Sequence, residues 1–224
     1  MMMFFYELVI SLKNYISYYL GRPAPETTRC LRKSSVKKNQ TTGAKKFTNV
    51  AVTGLVASGK STLIDAIRRL EDEEEGNPLV GKCEAIPRAY AYQDNPNVLL
   101  WDLPGIEGNE VQQQAYVEKV DLRAYDFFIV VSSTRVSEEL LYLAIEIEKM
   151  GKRFFFVRTK IDIYARNTKQ QNFNQGDLLR EIRRHFTKKL QGIGIKFPRV
   201  FLLSALQKDK FDFPDFLEAF NNEF

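Results

Sequence analysis

Residues 54–61 read GLVASGKS, two glycines with four residues between them, followed by Lys60 and Ser61. The apolar run FTNVAVT (47–53) precedes this segment and the helical pattern STLIDAIRRL (61–70) follows it. Few folds accept a chain that leaves a buried strand, turns back at once and enters a helix. Gly54 and Gly59 permit the tight turn, so that successive N–H groups point inward. Together with the N-terminus of the helix those amides form an anion cradle. Lys60 is placed to reach the β- and γ-phosphates of a nucleoside triphosphate, and Ser61 to offer a hydroxyl to Mg²⁺. Val56, Ala57, Ser58 and Thr62 complete the candidate phosphate contacts. Average composition produces GxxxxGK[ST] by chance in roughly one chain in a hundred of this length. The strand before it and the helix after it make chance a weaker account still, although nothing here specifies the base.

The rest of the chain repeats the alternation. NVLLWD (97–102), DFFIVV (126–131), RFFFVRT (153–159) and RVFLLSA (199–205) read as strands. SEELLYLAIEIEKM (137–150), GDLLREIRRHFTKKL (176–190) and FPDFLEAFNNEF (213–224) read as helices. Ser137 stands as an N-cap and Gly151 just past the helix end. Strands that are continuous apolar runs are covered by helices on both faces. Alternation over residues 47–224 therefore specifies an α/β domain, a doubly wound, mostly parallel sheet. Ligands of such sheets bind outside the carboxyl ends of the strands, so the residues that end each strand are the candidates.

WDLPG (101–105) ends one strand. It would deliver Asp102 to the phosphate end of the sheet to hold Mg²⁺, and Gly105 could bring its amide against the γ-phosphate. Leu103 and Pro104 belong to the same loop. TKID (159–162) ends the next but one. Guanine presents two donors side by side, N1–H and the exocyclic amine, and the Asp162 carboxylate can accept both. Thr159 precedes Lys160, whose aliphatic stem would lie along the base. SAL (204–206) ends the last strand, where Ser204 positions the Ala205 N–H to donate to guanine O6.

These residues resemble the immunity-related GTPases, the interferon-inducible, dynamin-like group. The resemblance rests on VAVTGLVASGKSTLI (50–64), NPNVLLWDLPG (95–105), FFFVRTKID (154–162) and RVFLLSALQKDKFDFPDFLEAF (199–220). Thr159 stands where the usual NKxD motif has Asn, as in that family. What the resemblance implies is a P-loop NTPase G domain that takes GTP and GDP with Mg²⁺ and hydrolyses GTP slowly. Lys60 and Gly105 would act on the transferring phosphoryl group. It further implies homo- or heterodimers through the G domain, and cell-autonomous immunity at intracellular membranes.

Departures from the pattern matter as much. Residues 72–100 contain no Thr or Ser to close on Mg²⁺ and the γ-phosphate. Position 106 is Ile, so no Gln orients the attacking water there. Family members continue into a C-terminal helical domain, and the expectation here is a G domain without it. A non-catalytic adaptor that binds GTP or GDP and pairs with fuller relatives is the competing expectation. A P-loop kinase would share only the phosphate cradle, and DLPG and TKID argue against it.

Upstream, residues 1–20 place Phe5, Leu8, Val9, Leu12, Ile16 and Leu20 on one helical face, a stripe expected to dock on the protein's own surface or, as the second reading, at a membrane interface. Spanning a bilayer is disfavoured, because about eight apolar residues at roughly −0.5 kcal/mol each are nearly cancelled by one central Lys at about +3. Residues 21–46 read as a basic linker. Residues 1–46 carry nine Lys or Arg against two Glu, so the formal net charge of +5 belongs to this tail. The folded body is slightly acidic, which excludes a nucleic-acid domain. The tail suits either an anionic membrane surface or a plain solvated linker. Cys30 and Cys83 make no disulfide framework and lack metal-ligand spacing, which points to a reducing, cytoplasmic setting. The acidic run EDEEEG (71–76) reads as a solvated flank, His185 as a surface residue and Trp101 as core.

Overall fold

A computed structural model describes residues 47–69, 87–168 and 174–224. The expected helix at 1–20, the linker at 21–46, EDEEEG and both cysteines lie outside them. In chain order the elements are β1 (Thr48–Gly54), α1 (Lys60–Ile67), β2 (Arg88–Ala91), β3 (Val98–Asp102), α2 (Glu110–Val120) and β4 (Phe127–Ser132). There follow α3 (Glu138–Lys149), β5 (Arg153–Arg158), α4 (Ile161–Thr168), α5 (Gln175–Gly192), β6 (Val200–Leu202) and α6 (Phe213–Asn221). The strands form one sheet in the order β2-β3-β1-β4-β5-β6. All pairs are parallel except the edge pair β2–β3.

The apolar runs have the cause expected of them. Successive side chains of a strand point to opposite faces. Phe128, Val130 and Phe156 enter a core with residues of α2, α3 and α5, among them Tyr116, Leu140 and Phe186. Their neighbours Phe127, Ile129, Phe155 and Val157 enter a second core with Leu63 and Ile64 of α1 and Phe216 and Phe220 of α6. The second core is aromatic: Phe127 meets Phe155 edge-on at 4.9 Å, and Phe201 meets Phe216 at 5.4 Å. Each such ring stabilises the fold by about 1.5–3 kcal/mol through burial alone.

Two polar devices hold the helices to the strand ends. Asn109 and Gln112 form a reciprocal capping box that starts α2. Asp212, in the FDFP segment, accepts the Leu202 N–H at 2.6 Å and two bonds from Arg183 of α5, at 2.7 Å each. One carboxylate thereby pins β6, α5 and the start of α6. Ser137 does precede α3, but its hydroxyl makes no capping bond and is buried without a partner. Trp101 is half-buried and donates from its indole nitrogen to Asn49 Oδ1 at 2.9 Å.

Gly54 closes β1 at φ +138°, and a Cβ built there would lie 2.0 Å from the Val131 carbonyl oxygen of β4. Gly54→Ala is therefore expected to cost about 3 kcal/mol, backbone strain and overpacking combined. In a domain of this size the melting temperature should fall by roughly 10 °C. A melting curve of the variant superimposed on the parent's would contradict this account of the turn.

Candidate functional site

The carboxyl ends of β1, β3, β5 and β6 bring the four sequence-identified loops to one rim of the sheet. The P-loop is built by unusual backbone angles. Ala57 sits at φ +58° and Gly59, the N-cap of α1, at φ +88°. The Ser58 N–H is used internally, on Leu55 O at 3.3 Å. The amides of Ala57, Gly59, Ser61 and Thr62 donate to nothing among the described residues. Four unsatisfied donors at one helix start are an anion site in search of acceptors. The Ser58 side chain is buried, with its hydroxyl unpartnered among the described residues. Lys60 is 8% exposed, and its ammonium group turns back over the loop to donate to Leu55 O at 2.9 Å.

The DLPG loop is fastened to the P-loop twice. The Ser61 hydroxyl donates to Asp102 Oδ2 at 2.5 Å, and the Ile106 N–H donates to Gly54 O at 2.9 Å. Burial raises the Asp102 carboxyl above the usual carboxylate range, against the Ser61 bond and the charges of Lys60 and Arg88. A hydroxyl and a carboxylate oxygen converging at this distance are a hard donor pair that suits Mg²⁺. Two protein oxygens would leave its remaining positions to water and phosphate. Leu103 is buried and donates its N–H to Val52 O at 3.1 Å. Gly105 lies so close to the P-loop that an added Cβ would fall 2.5 Å from Val56 Cγ2 and 2.7 Å from Val56 N.

The TKID loop reaches the P-loop from the other side. The Thr159 hydroxyl donates to Ser58 O at 2.6 Å, with Ser132 O at 3.2 Å. Lys160, at φ +56°, spans the P-loop and donates from its ammonium group to Ala57 O at 3.0 Å. Asp162 occupies the first turn of α4, 8% exposed, with Arg166 one turn on at 3.7 Å. The Ile161 N–H donates to Leu203 O at 3.2 Å, which ties TKID to the SAL loop. Ser204 is buried with its hydroxyl unpartnered, and the Ala205 N–H has no acceptor among the described residues.

One contributor was not visible in the motifs. Tyr116 of α2 is buried, its hydroxyl 2.7 Å from Thr53 Oγ1 and donating to Pro104 O at 2.9 Å. Among the set-aside residues, His185 is exposed on α5 and meets the edge of Phe186.

The sequence of residues 30–224 matches the family model described as interferon-inducible GTPase. The chain belongs to the interferon-inducible GTPase family. It is 42% identical to Interferon-inducible GTPase 5 of Bos taurus over 170 residues, 74% of this chain and 37% of that protein. Its identity to Interferon-inducible GTPase 1 of Mus musculus is 39% over 171 residues, 74% of this chain and 41% of that protein. The chain thus spans less than half the length of these curated relatives. Among solved structures, it shares its fold with a GTP-binding protein of Sulfolobus solfataricus crystallised with GDP. The TM-score is 0.51 at 18% identity, over 78% of this chain and 51% of that one. The α/β G-domain architecture expected from the alternating strands and helices is the one observed.

Proposed function

We propose that residues 47–224 bind GTP and GDP with Mg²⁺ and hydrolyse the γ-phosphate slowly, faster when two G domains pair. The observation that carries this is the clasp of Thr159 and Lys160 on Ser58 O and Ala57 O. It joins the candidate base reader to the phosphate cradle in one hydrogen-bonded unit, which a phosphate site alone would not require.

The chemistry follows from the donors. Gly54 and Gly59 shape the turn, and the amides of Ala57, Gly59, Ser61 and Thr62 take phosphate oxygens. Lys60 leaves Leu55 O to neutralise the β- and γ-phosphates. Ser61 and Asp102 would hold Mg²⁺, which would supply charge neutralisation for the phosphates. The Gly105 N–H donates to the γ-phosphate as charge develops on it. Asp162 accepts both guanine donors and the Ala205 N–H meets O6.

No group at position 106 can order the attacking water, because Ile106 is fully buried and bridged to Leu55. A low turnover rate in the isolated domain is the consequence, and a second copy is the source of the missing group. Hydrolysis measured against protein concentration tests this. Specific activity should climb as concentration rises, and a flat, non-zero line would remove pairing from the mechanism. A flat zero, with nucleotide binding intact, would favour the second reading, a non-catalytic adaptor for fuller relatives. The burial of Ile106 is what recommends that alternative.

Residues 1–46 fit an intracellular membrane surface through their nine cationic side chains and the apolar stripe of residues 5–20. Among the described residues no helix is long and apolar enough to cross a membrane. A cytoplasmic protein at membranes, acting in cell-autonomous immunity, is the role proposed.

A further inference from the structure

We propose that Tyr116 is the positioning residue that aims the Gly105 amide at the γ-phosphate, so that it sets how strongly the site prefers GTP to GDP. The inference deepens the nucleotide reading above and rests on it. Its starting point is that Pro104 C=O and Gly105 N–H belong to one peptide unit. Among the described residues there are no cis peptide bonds, and in a trans peptide those two groups point in opposite directions. Whatever grips the oxygen therefore orients the N–H.

Tyr116 grips the oxygen. Its hydroxyl donates to Pro104 O at 2.9 Å. Burial, and to a smaller degree the charge of Asp102, keep the phenol protonated far above its ordinary range, while the Thr53 bond opposes them. A phenol has one proton to give, and the Pro104 carbonyl can only accept. The contact with Thr53 Oγ1 at 2.7 Å is then a bond donated by threonine. The chain Thr53→Tyr116→Pro104 is thus polarised toward the peptide oxygen, with its first two members held in β1 and α2.

The opposite side of that peptide is where phosphate would sit. The Gly105 N–H donates to nothing among the described residues. Gly105 itself abuts Val56 of the P-loop, and the next residue is tethered to Gly54 O. An amide fixed in direction before the ligand arrives has no reorientation cost when the γ-phosphate binds. GDP lacks the γ-phosphate and gains nothing from it. The consequence is a term that discriminates triphosphate from diphosphate, assigned to a side chain that touches neither.

The test uses the full chain with Mg²⁺, titrated with GDP and with the non-hydrolysable analogue guanosine 5′-(β,γ-imido)triphosphate. For Tyr116→Phe, GDP affinity should stay within about twofold and the analogue should weaken about tenfold. Thr53→Val is the control. It removes the other hydrogen bond of the phenol and leaves the bond to Pro104, so stability should drop while the analogue-to-GDP ratio stays at the parental value. An unchanged ratio in Tyr116→Phe overturns the proposal, as does a Thr53→Val ratio that collapses. If Tyr116→Phe does not fold, 3-fluorotyrosine is placed at position 116, where its stronger O–H donor should raise the analogue-to-GDP ratio while GDP affinity holds, and an unchanged ratio overturns the proposal. Failure of the parent chain to bind either nucleotide overturns the nucleotide reading itself, and this inference with it.

Discussion

Lys60→Ala is expected to lose about a thousandfold in affinity for both GDP and GTP while keeping its fold. The magnitude comes from burial. The ammonium group is almost wholly removed from water and has Leu55 O within 2.9 Å, so its charge is poorly screened. Truncating one partner of a buried, hydrogen-bonded charge pair costs about 2–5 kcal/mol, and about 1.4 kcal/mol is one decade in affinity. One further effect adds to the loss. The Lys60 charge is one of those that hold down the Asp102 carboxyl, so its removal lets burial raise that group further. A carboxyl more readily protonated is a poorer ligand for Mg²⁺. Lys60 also opens α1, where alanine is a good helix former, so the melting temperature should change little. Fluorescent-nucleotide titration beside a melting curve checks both halves. Affinity within tenfold of the parent, in a folded protein, would detach Lys60 from the phosphate site.

How much of this was legible beforehand varies with the kind of interaction. DFFIVV and RFFFVRT were readable as strands because both faces of β4 and β5 are covered and residues 127–131 and 154–157 are all apolar. The short edge strand RAYA was not read. It pairs on one side only, half of it is exposed, and four residues carry no decisive periodicity. Helix α2 was missed because its inward face is Gln113, Tyr116 and Val120, a sparse stripe led by a polar residue. The Asn109-x-x-Gln112 capping box was the available signal for its start. In the site, residue types at strand ends located the loops correctly, since sheet topology dictates where strand ends meet. What could not be read is how the loops grip one another. The bonds of Thr159 and Lys160 go to main-chain oxygens, and so does that of Tyr116, twelve residues from Pro104. A carbonyl acceptor leaves no trace in residue identity, so nothing in the spacing marked Tyr116 as part of the site. The left-handed angles of Ala57 and Lys160 were equally hidden, because neither is glycine.

Asp162→Asn should convert the base preference rather than merely weaken it. Asp162 is nearly buried in the first turn of α4, and its loop is held to the SAL loop through Ile161 N–H and Leu203 O. The side chain is thus presented on a fixed frame, which is what makes a change of one atom decisive. A carboxylate accepts from both N1–H and the exocyclic amine of guanine. An asparagine amide accepts from one and sets its own NH₂ against the other. Losing one charge-assisted bond costs about 1.5–3 kcal/mol, and the donor–donor contact adds to it, so GTP affinity should fall about a hundredfold or more. Xanthine carries an oxygen where guanine carries the amine, and its edge matches an amide as guanine's edge matches a carboxylate. The variant should therefore favour xanthosine over guanosine nucleotides, with phosphate contacts unchanged. Competition among GDP, ADP and xanthosine diphosphate for the labelled site reads all three affinities in one experiment. A variant that still prefers GDP over ADP by the parental margin would show that some other group reads the purine. In that case the clasp of Thr159 and Lys160 on the P-loop would have to be explained by the phosphates alone.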